Sequence, residues 1–174
     1  MYILKPDEKT TPVILYTQDS LISGEMVTKQ SISRVSIWFR SDGTPKYIHL
    51  MKPRIVVFGR ESAPVTLHYS EVYFPLSQLI AFHIMPPIVE PLDYDTTEAN
   101  RMMQEVNVIV GTFMMKGKIR VSTQTEVVQS LEIIGASWMS LYDVEVSNLY
   151  ISQMPVLQTP MALLNPSHVA FAVT

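Results

Sequence analysis

The sequence predicts a mainly β protein built from two tandem small β-barrel repeats, each with a short helical turn, joined by a proline- and acid-rich linker. Three observations predict it. Short apolar stretches alternate with polar residues at a period of two, the pattern of half-buried strands. Landmarks of the first half recur in the second at a nearly constant spacing. A segment carrying Pro86, Pro87 and Pro91 separates the two. The expected boundaries are 1–85 for the first repeat, 86–105 for the linker and 106–174 for the second repeat.

The recurrence is clearest at the ends of the halves. LIAFHI (Leu79 to Ile84) is answered by HVAFAV (His168 to Val173), with Phe82 and Phe171 89 positions apart. Gly24 is answered by Gly117 and Met26 by Ile119 at a spacing of 93, and Ile48 and Leu50 by Met139 and Leu141 at 91. Val72 and Phe74 are matched to Met161 and Leu163 at 89. A spacing that drifts this little implies a duplication with two small deletions, of the kind loops accept.

The elements follow in order. The polar first ten residues, with Pro6, form a tail or edge. In TPVILYT, Val13, Leu15 and Thr17 point inward and their neighbours outward. Leu21 to Val27 continues the sheet around Gly24, a glycine that marks a bulge or bend. Ser31 to Arg40 fits a helical turn or a strand equally well, because so few residues do not separate the two periods. Ser41 to Lys46 is a turn by its Asp-Gly and Pro. Strands are expected at Ile48–Leu50, Ile55–Phe58, Val65–Tyr69 and Val72–Phe74, and LIAFHI closes the half. There Phe82 faces the core with Ile80 and Ile84 beside it, and His83 points outward.

Within the linker, Glu90, Asp93, Asp95, Glu98 and Glu105 stand against the single Arg101, and TTEANRMMQE offers one or two helical turns capped by Thr96 or Thr97. Strand residues Val106 to Val110 open the second half. Val127, Val128 and Leu131 then lie at helical spacing, and strands follow around Met139–Leu141, Val144–Leu149 and Met161–Leu163. NPSH, Asn165 to His168, is a turn before the last strand.

The order strand, strand bent at glycine, helical turn, hairpin, closing strand resembles that of the Sm-like and SH3-like small barrels, over both halves. The second half also resembles an uncharacterised group of bacterial proteins through Val106, Val108, Gly111, Gly117, Ile119, Leu131, Trp138, Leu141, Asn165 and Val169. That group brings no activity with it. The Sm-like resemblance implies ring assembly and RNA binding, but no motif here matches an RNA pocket residue by residue.

Composition narrows function further. Hydrophobic residues make up 47% and charged residues 17%, enough apolar material for a core and too little charge for a disordered chain. Cysteine is absent, which removes disulfides, thiolate chemistry and thiolate metal ligands. MYILKPDEKT lacks a signal-peptide pattern, and the longest apolar run, LIAFHIMPPIV, is broken by two prolines, so a cytoplasmic protein without membrane insertion is expected. No phosphate-binding glycine loop, HExxH or GxSxG motif occurs, and His49, His68, His83 and His168 are isolated from one another. The expectation is a protein that is not an enzyme and has no cofactor, metal or evident small-molecule substrate.

The net charge of −3 argues against a dedicated nucleic-acid binder. Residues 1–85 nevertheless hold nine Lys/Arg against seven Asp/Glu, and residues 86–174 four against nine. The candidate interaction surface is Arg34, Trp38, Arg40, Lys52, Arg54 and Arg60 in the first half, with Asp143 and Glu145 in the second. Lys52 aligns with Asp143 and Arg54 with Glu145, so matched positions carry opposite charge, a pattern that sets partner choice where like edges meet. The expected function is binding or assembly through protein–protein contacts, as a homo-oligomer such as a trimeric ring of six barrels or with another protein. The alternative is RNA or nucleotide binding by the basic face from Lys29 to Arg60, with its interleaved aromatics.

Overall fold

The computed structural model describes residues 2–41, 43–59, 63–134, 138–151 and 153–173, with only the backbone of 133 and 134. The chain is mainly β, as the alternating pattern predicts. Among the described residues eleven strands form one antiparallel sheet: β1 (Glu8–Tyr16), β2 (Ser20–Lys29), β3 (Tyr47–Val57), β4 (Val65–His68), β5 (Glu71–Pro75), β6 (Ala81–Ile84), β7 (Arg101–Val110), β8 (Phe113–Ser122), β9 (Met139–Asn148), β10 (Leu157–Leu164) and β11 (Ala170–Val173). Helix α1 (Val35–Trp38) lies between β2 and β3, and α2 (Val127–Ile134) between β8 and β9. The segment open to either reading, Ser31 to Arg40, thus contains a single helical turn. No helix among the described residues is long and apolar enough to cross a membrane.

The order of elements is the same twice, except that β4 and β5 of the first half stand where β10 alone stands in the second. Single 3-10 turns, Leu76–Gln78 and Pro166–His168, precede the last strand of each half. The expected pairs Ile48–Leu50 with Ile55–Phe58, and Met139–Leu141 with Val144–Leu149, are each one long bent strand. Both bends have the same cause. Lys52 (φ 48°) and Asp143 (φ 51°) hold left-handed backbone at matched positions, each next to a register shift in the pairing with the preceding strand. The shifts fall at Gly24 and Gly117, where the neighbouring strand comes close: a Cβ on Gly117 would lie 2.8 Å from the Tyr142 carbonyl oxygen, and one on Gly24 would lie 3.3 Å from the Met51 carbonyl oxygen, tight but less severe. β10 pairs with β9 from Met139 to Val146, whereas β4 and β5 divide β3 between them. One strand in the second half therefore does the work of two in the first.

Strand pairing also corrects the match in this region. Ile48 pairs with Phe74 and Met139 with Leu164, while His49 pairs with Tyr73 and Ser140 with Leu163. Because Ile48 corresponds to Met139, Phe74 corresponds to Leu164 and Tyr73 to Leu163, a spacing of 90 rather than 89.

The sheet runs β11-β7-β8-β9-β10-β6-β1-β2-β3-β4, with β5 also on β3. Each half contributes a run of strands whose last member returns to pair with its first: β6 on β1, and β11 on β7. The halves join where β10 pairs with β6, through Leu163 to Phe82 and Leu164 to Ala81. Among the described residues the sheet is thus open and continuous. It encloses two apolar cores, and β1, β6 and β10 feed both. Val13, Leu15, Phe82 and Leu163 enter the core of the first half. Ile14, Tyr16, Ala81 and Leu164 enter that of the second.

This double burial overturns the expected outward direction of alternate residues in β1 and β6. Ile14 and Tyr16 are buried, and His83 is 3% exposed. Ile80 belongs to the second core, opposite Phe82. A strand in the middle of a covered sheet has no solvent face, which is why TPVILYT is apolar almost throughout.

The linker is shorter than expected and contains no helix. β7 begins at Arg101, inside the segment expected to turn helically, and Thr97 instead closes a turn on the Asp95 side chain (N to Oδ1, 2.8 Å).

Candidate interaction surface

The acidic linker is bound down rather than loose. The Glu90 carboxylate accepts from the backbone N–H groups of Val35 and Ser36 (3.1 Å for Ser36) and from the Ser36 hydroxyl, satisfying free donors at the start of α1 from 54 residues away in sequence. The Arg34 guanidinium donates to the Pro91 carbonyl. Asp93, with a side chain only 6% exposed, is the centre of a polar cluster made by all three parts of the chain. It accepts from the Tyr142 hydroxyl at 2.7 Å and the Ser140 hydroxyl at 2.8 Å, and pairs with Arg40, which also donates to the Ser140 oxygen. Burial by itself raises the Asp93 pKa. The hydrogen bonds from Tyr142 and Ser140 and the Arg40 charge outweigh it and hold the carboxyl below its ordinary range. Burial and the neighbouring carboxylate push the Tyr142 phenol up, so it stays a donor.

Beside this cluster, aromatic side chains cement the junction. Phe39 stacks on Phe82 with ring centres 4.1 Å apart, and Trp138, from the second half, meets both edge-on within the first core. Trp38 is half-buried and edge-on to Phe39. Both tryptophans are therefore packing residues, in line with their size and apolar area.

The residues selected from sequence separate into three groups. Arg34, Trp38 and Arg40 belong to the linker contacts and the junction. Lys52 and Asp143 sit at the matched bends, and each has a partner on the neighbouring strand of its own half: Lys52 with Glu25 at 3.5 Å, Asp143 with Lys118 at 3.0 Å. The opposite charges at matched positions are thus one ion pair with its signs exchanged, both pairs at the surface and worth little to stability. Arg54 and Glu145 are exposed, opposite His68 on β4 and Gln158 on β10. Arg60 lies outside the described residues. Of the described cations from Lys29 to Arg54, Lys29, Arg34, Arg40 and Lys52 have partners within the chain.

Sequence reasoning missed the two ends of the sheet. At one end, β4 carries exposed Val65 and Leu67, β5 carries exposed Tyr73, and exposed Tyr69 lies between the two strands, with Tyr47 beside them on β3. The Tyr73 ring stacks on His49 at 4.5 Å, and the His49 Nε2 lies 3.2 Å from Glu71. At the other end, β11 and β7 expose Ala170, Ala172, Val173 and Ile109. The signal available in the sequence was the second LIAFHI-like strand, whose alternate positions are Ala instead of His and Ala.

His83 is the one histidine within a core. Its Nε2 lies 3.0 Å from the Tyr16 hydroxyl and its Nδ1 3.1 Å from the Ile84 carbonyl, so the ring is fully engaged. Burial depresses its pKa, opposed by the Ile84 contact, and burial raises that of Tyr16. Among the described residues no group of three or more His, Asp or Glu is placed to hold a metal ion. Comparison with protein-family models, with curated proteins and with solved structures found no match.

Proposed function

We propose that this chain is a non-enzymatic assembly module that acts through the ends of its sheet, as a scaffold or regulatory component binding other protein. The observation that supports it is the β10–β6 junction. One half of the chain joins the other by edge pairing and by inserting side chains into its core, and two comparable edges with exposed apolar residues remain at the ends of the sheet. Unpaired strand edges with apolar faces bind further strands unless they are blocked. On this reading the fold is a pair of Sm-like small barrels opened toward each other, and the linker braces them. RNA or nucleotide binding by the first half is the weaker reading, since Arg34 and Arg40 hold the linker and Lys29 and Lys52 pair with carboxylates of the same half.

Capture on the tagged chain from a native lysate, with protein and RNA scored together, tests the reading. Protein retained by the wild type and released by Tyr73→Asp is the expected outcome. Retention of RNA alone, or of the same protein by both forms, removes it.

A further inference from the structure

We infer that the occupant of the open β5 edge is the β11 edge of a second copy of this chain, in the register that β10 and β6 already use within one chain. The inference rests on the assembly reading and specifies its partner. It follows from comparing each half's environment at matched positions.

Leu163 on β10 points away from its own core and is 1% exposed, because it enters the first-half core against Phe82. Its counterpart on β5 is Tyr73, by the pairing of Ser140 with Leu163 and His49 with Tyr73. Tyr73 is 58% exposed. The same asymmetry holds on the other side. Ala81 and His83 on β6, with Tyr16 on β1, are buried because the second half covers them. Their counterparts Ala170, Ala172 and Ile109 are exposed, and Ala170 pairs with Ile109 just as Ala81 pairs with Tyr16. Each half thus has one docking edge filled inside the chain and one empty, and the two empty edges are the complementary kinds. Placing β11 of one copy on β5 of the next repeats the internal junction, with Tyr73 opposite Phe171 and Phe74 opposite Ala170.

Backbone direction agrees. The Asn165 N–H donates to the Ile80 carbonyl at 2.8 Å, which by alternation aims the Leu163 backbone groups at Phe82. On β5 the Leu76 N–H donates to the Lys46 carbonyl, so Phe74 and Val72 bond to β3 and the Tyr73 groups face the open edge. Pro75 stands where Asn165 donates and has no N–H, which removes one bond of the copied ladder and leaves the Tyr73–Phe171 pair with the apolar contacts. The contact is head-to-tail, so it continues from copy to copy until the rotation closes a ring.

The absence of cysteine makes the register directly testable. Facing residues of an antiparallel pair have Cα atoms roughly 4.5–5.5 Å apart, within the range a disulfide spans. Mild oxidation of Tyr73→Cys/Phe171→Cys is expected to give a ladder of covalent multiples of the 19.7 kDa chain, and each single variant none. Light scattering of the unmodified chain is expected to give a multiple of that mass. A dimer from oxidised Tyr73→Cys alone would show an edge paired with itself and overturn the inference. So would a monomeric wild type across a dilution series with no ladder in the double variant. If a different protein is then captured and released by Tyr73→Asp, the assembly reading stands without self-pairing; if none is, both fall.

Discussion

Replacing Asp93 by Asn measures how much the linker contributes to joining the halves. The side chain keeps its size, and one oxygen still accepts from Tyr142 at the present 2.7 Å. The other position becomes an NH2 group facing the Ser140 hydroxyl and the Arg40 guanidinium, both donors to the carboxylate in the wild type. A hydrogen bond to a charged acceptor contributes about 1.5–3 kcal/mol, and breaking a fully buried ion pair costs about 3–5 kcal/mol. Arg40 keeps 30% of its side chain in solvent, so its loss of partner is partly screened. The expected net loss is therefore about 2–3 kcal/mol, or roughly 5–10 °C in Tm for a chain of this size. Urea unfolding checks it: the midpoint should fall with the slope unchanged. In a double-mutant cycle with Arg40→Met the two effects should be far from additive. A loss below about 0.5 kcal/mol, the range of ordinary surface substitutions, or an additive cycle, would refute the view that Asp93 ties the three segments together. The sign with pH follows from the depressed pKa. The contribution of Asp93 is complete above the ordinary carboxylate range and is lost as pH falls through its lowered folded value.

Two further outcomes are expected. His83 has a folded pKa below its ordinary value, so the unfolded chain takes up a proton first, and stability falls as pH drops below about 6.5; in His83→Phe the part of this fall between pH 7 and 5.5 should disappear, measured as the difference in urea midpoints. Gly111 has φ +57°, and a Cβ there would lie 2.3 Å from the Gln18 carbonyl oxygen, so Gly111→Ala should cost about 2 kcal/mol or more in thermal unfolding, whereas Gly43→Ala, with no neighbour within 4 Å, should be close to neutral.

The repeated strand LIAFHI shows how one sequence pattern acquires two environments. In β6 it is covered on both faces, so Phe82 enters one core and His83 the other, hydrogen-bonded to Tyr16. In β11 only the face toward the second core is covered, and Ala170 and Ala172 stay in solvent. Both strands have the same alternation, so alternation alone does not say whether the second face is covered. That is decided by β10, which reaches β6 from a residue distance of about 80 positions, beyond any local period.

The sequence by itself determined the mainly β class, a largely repeated order of elements, the irregularities at Gly24 and Gly117 and the short helix of the second half. These rest on local physics: strand periodicity, the backbone freedom of glycine and helical spacing. Tertiary structure alone decided the rest. It made one open sheet around two cores, turned Arg34 and Arg40 from a candidate cationic face into anchors for the linker, and gave Lys52 and Asp143 partners within their own halves. Among the described residues it also left β4, β5 and β11 as edge strands. The physical reason is that a charge or an alternating strand has no fixed role until a distant segment either covers it or leaves it to water.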